Sequence, residues 1–167
     1  VIARVPGSAS SGTLADLRAA FAEGGDVSLD LLVGLHRAAF VGPGWWRYAG
    51  PAITRLGGMP SWWGKRFWST TRSDVLDGEN VLERDGRMVP SHPMQAQVAA
   101  SRFDGRPALV ITYPRPAPWT WRQVTDELRP LADAPGTLVG LTVTSAPVLR
   151  AGLPFLLRRE PGTAAAA

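Results

Sequence analysis

The stretch Asn80-Val81-Leu82-Glu83-Arg84-Asp85-Gly86-Arg87-Met88-Val89, repeated in kind by residues 95–103, Asp104-Gly105 and residues 106–113, decides the fold. Each half sets an Asp-Gly pair between two runs that tolerate extended backbone. Asp-Gly accepts the positive φ angles of a two-residue hairpin, so both pairs predict antiparallel turns. Further strands are expected at Gly44-Trp45-Trp46-Arg47-Tyr48, at Thr137-Leu138-Val139-Gly140-Leu141-Thr142-Val143-Thr144 and at residues 153–159. Short strands at regular spacing with turn chemistry between them predict an all-β barrel or sandwich.

Two helices precede them. Thr13 and Asp16 form a capping-box pattern ahead of Leu14, Leu17, Ala20 and Phe21, and Gly24-Gly25 supplies a stop. A second helix is expected from the Ser28 cap, with Leu31, Leu32, Leu35, Ala39 and Phe40 on its apolar face and Gly42-Pro43 at its end. Residues 121–131 fit a helix or a hairpin strand equally. Residues 1–12 read as a leader, 13–160 as one domain and 161–167 as a tail.

The totals narrow the function classes. A 167-residue chain that is 45% hydrophobic and 19% charged can bury a core without staples. The absence of cysteine removes disulfides, thiolate metal sites and a catalytic thiol, and fits a cytoplasmic protein. Net charge is +4, but the arginines are scattered and no nucleic-acid-binding motif accompanies them. Neither nucleic acid nor membrane is expected as a partner; a homodimer is compatible.

The chemistry-bearing stretch is Gly57-Gly58-Met59-Pro60-Ser61-Trp62-Trp63-Gly64-Lys65-Arg66-Phe67-Trp68, which contains the lone lysine. Consecutive indoles on an extended backbone point to opposite sides, so one of Trp62 and Trp63 meets a second environment, solvent or a cavity. Lys65 is either a solvated surface cation or a desolvated pocket cation able to act as base or nucleophile. His92, stiffened by Pro90 and Pro93, suits acid–base work or an exposed loop. His36, on the expected second helix, belongs at the surface or core edge. Arg66, Phe67, Met94 and Tyr113 are candidate pocket liners with Trp62 and Trp63. Trp119 and Trp121, on a proline-rich loop, form either a lid over the barrel mouth or a protein contact. Neither Asp77/Glu79 nor Asp126/Glu127 reads as a ready dyad, since strand neighbours face apart; the pairs are expected at the surface, the alternative being that one carboxylate from each enters a pocket. No phosphate loop, metal cluster or nucleophile elbow appears, so no cofactor and no metal are expected.

Several motifs together resemble a family. Gly44-Trp45-Trp46, with Tyr48 where the motif's second glycine falls, Trp62-Trp63-Gly64-Lys65-Arg66-Phe67, Arg84-Asp85-Gly86-Arg87-Met88-Val89-Pro90, residues 109–113, Gly136-Thr137-Leu138-Val139-Gly140 and Pro154-Phe155-Leu156-Leu157-Arg158-Arg159 are similar to bacterial GXWXG-type proteins with a following domain of unknown function. The resemblance implies a mainly β, lipocalin-like antiparallel barrel with one or two N-terminal helices and an apolar ligand. It also implies that Trp46 plugs one barrel end with Arg158 or Arg159 on its ring. The functions compatible with these residues are a binder of a small hydrophobic or aromatic molecule, a cofactor-free cyclase or isomerase of secondary metabolism using Lys65 or His92, a non-catalytic carrier, or an interaction module using Trp119 and Trp121.

Overall fold

The computed structural model describes residues 12–144 and 152–162. Of the leader and tail expected at 1–12 and 161–167, all but Gly12, Pro161 and Gly162 lie outside the described residues. The elements are α1 (Leu14–Glu23), β1 (Gly34–Phe40), α2 (Gly44–Leu56), β2 (Trp62–Ser69), β3 (Leu76–Arg84), β4 (Arg87–Ala100), β5 (Pro107–Thr112), β6 (Val124–Pro130), β7 (Thr137–Thr144) and β8 (Leu153–Arg159). Each strand pairs antiparallel with the next, and β8 returns to β1, closing an eight-stranded lipocalin-like barrel. Closure removes every sheet edge, and eight strands leave room for side chains or one small ligand.

Arg84 pairs with Arg87 around Asp85-Gly86, the expected two-residue hairpin, whereas Asp104-Gly105 lies in a longer loop over residues 101–106, with Ala100 opposite Pro107, in place of the two-residue turn expected there. The strands expected at 87–89 and 95–103 are one continuous strand, β4, because the Pro90–Pro93 segment is absorbed as a bulge instead of breaking it. Residues 121–131 resolve into a single 3₁₀ turn at Trp121–Gln123 followed by β6.

The expected second helix is overturned. Ser28 does cap a helical turn, but only the 3₁₀ turn Leu29–Leu31, and the chain then extends into β1. Helical spacing of leucines loses here to barrel closure, which needs residues 34–40 to pair with both β2 and β8. The strand expected from Gly44 is instead α2. Trp46, Gly50 and Thr54 are its buried stripe at i, i+4, i+8. Gly50 is required there, because a Cβ would sit 2.5 Å from the Phe40 ring. Pro51 lies inside the helix and withholds one backbone donor, a composition that reads as loop.

The barrel interior is layered. Leu32, Phe67, Leu76, Ala96, Leu109, Leu128, Leu138 and Leu157 belong to the apolar core, and α2 lies over the other end. Helix α1 packs outside, with Leu17 and Phe21 on Val139, Leu141 and Leu156, the outward positions of β7 and β8. Arg129 is buried beneath it, donating to the Phe21 carbonyl and pairing with Asp104 at 2.6 Å. His36 is fully buried on β1, not at a surface, with Nε2 donating to the Leu31 carbonyl at 3.2 Å. Burial holds its pKa down at about 4. No helix among the described residues is long and apolar enough to cross a membrane.

Candidate functional site

Two bulges aim the site. Between β2 and β3, Trp62 pairs with Leu82 and Gly64 with Val81, so Trp63 is the extra residue. Trp62 and Lys65 are three apart and would face opposite sides of a regular strand; the bulge turns both inward. Gly64 allows the adjoining approach, since a Cβ there would lie 1.9 Å from the His36 carbonyl oxygen. Between β3 and β4, Glu79 pairs with Pro93 and Asn80 with Ser91, leaving His92 as the extra residue at φ +26°.

Inside the α2-covered end lies a cavity of about 90 Å³, bounded by Phe40, Trp46, Ile53, Met59, Trp62 and Trp121, among others. Its polar side is a buried cluster. Lys65 Nζ lies 2.9 Å from Asp126 Oδ2, donates to Tyr113 Oη at 2.5 Å and to Asn80 Oδ1 at 3.3 Å, and is 4.0 Å from Met94 Sδ. Tyr113 in turn donates to Asp126 Oδ2 at 2.7 Å, and Thr142 donates to Asp126 Oδ1 at 2.6 Å. Trp62 Nε1 donates to Asn80 Oδ1 at 3.0 Å. The rings of Tyr113, Trp62 and Phe155 stand 5.1, 5.4 and 5.9 Å from the ammonium, within cation–π reach.

The electrostatics follow from burial. Desolvation lowers the Lys65 pKa, and Asp126 opposes that by favouring the ammonium. Burial first, then the Asp126 charge, raises Tyr113 well above the ordinary phenol value. Tyr113 therefore keeps its proton at neutral pH and is a hydrogen-bond donor held between Lys65 and Asp126. That arrangement can grip a ligand oxygen or pass a proton.

Of the expected site residues, Trp62, Lys65, Tyr113 and Trp121 line this cavity, with Met94 against Lys65 beneath it. Phe67 lies in the apolar core away from the cavity. Trp63 points outward, with the Arg37 guanidinium 5.3 Å from its ring. Arg66 also faces out, paired with Glu79 at 3.3 Å. Trp119 is 67% exposed and does not line the cavity, whereas Trp121 does and donates to the Gly57 carbonyl at 2.6 Å. Gly57 admits this contact, because a Cβ there would meet the indole at 2.9 Å.

His92 sits behind Trp121, ring centroids 5.5 Å apart, in a separate outer groove with Trp68, Pro90 and Arg115. Its Nδ1 lies 2.8 Å from Ser91 Oγ, and burial with the Lys65 charge lowers its pKa. It is not part of the interior cluster.

Two further expectations are corrected. Trp46 is buried at one barrel end, but its partner is the Pro154 carbonyl, which accepts from Nε1 at 2.8 Å. Among the described residues the cations found over aromatic rings are Arg37, Lys65 and Arg129, not Arg158 or Arg159. The pair Asp126/Glu127 is buried, not at the surface. Asp126 enters the barrel, while Glu127 faces the outer layer and accepts from Ser101 Oγ and the Arg102 amide. Asp77/Glu79 behave as expected, half-buried on the outer groove. Asn80 was therefore missed, and Asp126 follows the alternative in which one carboxylate of its pair enters a pocket. The signal for Asp126 lay in the alternation Val124, Asp126, Leu128, whose apolar members face inward.

Fold and cluster together define a lipocalin-like barrel with a polar group buried against a small apolar cavity. A crystal structure of a protein from Thermomonospora curvata is similar, with a TM-score of 0.61 and 20% identity over 90% of each chain; at that identity the likeness concerns the fold. No family model and no curated protein matches the chain.

Proposed function

We propose that the barrel binds a small hydrophobic or aromatic molecule carrying one oxygen function, a carbonyl or hydroxyl, directed at the cluster of Lys65, Tyr113 and Asp126. One observation carries this reading: a buried ion pair placed at the wall of a small apolar cavity. Taking both charges out of water is costly, and well-packed apolar residues would serve stability as well or better. Ligand sites typically combine an apolar lining with a few convergent polar groups. The likeness of the Trp62–Phe67 block to GXWXG-type proteins belongs to the same reading.

The cavity of about 90 Å³ is well below typical ligand sites of roughly 300–1,000 Å³. Entry therefore requires α2 or the Trp121 wall to yield. A second reading, a cofactor-independent isomerase or cyclase, is favoured by the 2.7 Å bond from Tyr113 to Asp126. Tyr113 would donate to the developing oxyanion and Asp126 would accept a proton from carbon, with Lys65 holding both in place.

Native mass spectrometry of the freshly purified protein tests for a retained ligand. A panel of monocyclic phenols and ketones, followed by ligand-observed NMR, measures binding. Lys65→Met and Tyr113→Phe should lose binding at least tenfold while His92→Ala retains it. Turnover that disappears in Tyr113→Phe with binding kept favours the enzyme over the carrier. Equal binding by all three folded variants overturns the site.

A further inference from the structure

Helix α2 has two apolar faces. One is used: Trp46, Gly50 and Thr54 are buried against the barrel. The other is not. Trp45, Tyr48, Ala52 and Leu56 recur at i, i+3, i+7 and i+11 and all point to solvent, with Trp45 62%, Tyr48 84% and Leu56 88% exposed. Ile53 belongs to both environments, bounding the cavity while 46% exposed. Trp119 adds another exposed indole on the loop whose Trp121 anchors to the end of α2. Large exposed apolar groups gathered on one element mark an interaction site.

The charge on this end of the barrel identifies the partner. From Leu31 to Ser73 the chain has no Asp or Glu, and from Gly105 to Thr125 it has none either. These two segments supply α2 and the loop bearing Trp119. On α2 and this loop the exposed cations are Arg47, Arg55, Arg115 and Arg122. At the neighbouring β3–β4 hairpin the acids Glu83 and Asp85 are matched by Arg84 and Arg87. A one-helix surface that joins aromatic and aliphatic side chains to arginines, without acids, has the composition of a helix lying in a lipid interface. Tryptophan and tyrosine suit that boundary because each has an apolar body and a polar tip.

We propose that α2 docks the barrel onto an anionic lipid bilayer, with Trp45, Tyr48 and Leu56 inserted among the acyl chains and Arg47 and Arg55 on the headgroups. No helix among the described residues is long and apolar enough to span a membrane. The contact inferred here is peripheral. It places the movable wall of the cavity against the phase in which an apolar molecule concentrates.

Vesicle co-sedimentation of the full chain tests this, comparing pure phosphatidylcholine with phosphatidylcholine containing one part in three phosphatidylglycerol. Binding should appear with the anionic vesicles and fall as salt rises. Arg47→Gln with Arg55→Gln should weaken it about tenfold or more. Trp45→Ser with Leu56→Ser, both at exposed positions and with folding checked by circular dichroism, should abolish it. Brominated lipid should quench emission of the wild type more than that of Trp45→Phe. Absence of binding to anionic vesicles at low salt overturns the proposal, as does undiminished binding by the serine variant. So does a dimer in solution that Trp45→Ser with Leu56→Ser converts to monomer, since the face then belongs to a second copy.

Discussion

Lys65 is held by oxygens of Asp126, Tyr113 and Asn80 between 2.5 and 3.3 Å away, in a site with almost no solvent. Removing one partner of such a pair strands the other. Asp126→Ala should cost roughly 3–5 kcal/mol, read as a lower urea midpoint. Lys65→Met with Asp126→Leu should recover most of that loss, and a double variant no more stable than Asp126→Ala would show that the cluster is not acting as an ion pair. His36 gives a pH dependence with a definite sign. Its folded pKa of about 4 is below the ordinary value near 6.5, so the unfolded chain binds the extra proton first. Stability from this group is complete above about pH 6.5 and is lost as pH falls toward 4, on the order of 3 kcal/mol in all. Asp104, held down to about 2 by Arg129, adds a second loss between about pH 4 and 2. Urea titrations at a series of pH values should show the first slope in the wild type and not in a folded His36→Gln variant.

Strands β1 and β2 meet at a place where only glycine fits. A side chain at residue 64 would collide with the backbone oxygen of His36, which cannot swing aside as a flexible side chain can. Gly64→Ala should therefore open the ladder on which Trp62 and Lys65 are aimed. A loss of about 2 kcal/mol or more is expected, with faster amide exchange in β1 than in β5; unchanged exchange would argue that the bulge absorbs the methyl. Helix α2 is fastened chiefly by Trp46, wedged against Phe40 at 5.4 Å and hydrogen-bonded to Pro154. Trp46→Ala should lose about 3–5 kcal/mol, seen in thermal melts, and should expose α2 to limited proteolysis before the barrel.

Across the whole molecule, much of the architecture was legible because hairpin chemistry is local. Asp85-Gly86 and Asp104-Gly105 placed two turns correctly, the second within a longer loop, and residues 137–144 and 153–159 announced β7 and β8 through their β-branched and apolar content. Lys65, Trp62 and Tyr113 were also marked in advance, by rarity and by the rule that adjacent strand residues face apart. What depended on the tertiary structure was everything non-local. Residues 34–40 became a strand because a closed barrel needs two pairing partners there, which outweighs their helical spacing. Trp62 and Lys65 came to share one side through a bulge that no period of two foretells. Asp126 joined Lys65 across 61 positions of sequence because β6 and β2 both face one interior. Composition and turn residues determine that this chain is mainly antiparallel β, barrel or sandwich, since they act within a few residues. Which charges meet inside it is decided by closure, since only closure brings distant inward positions within hydrogen-bonding distance.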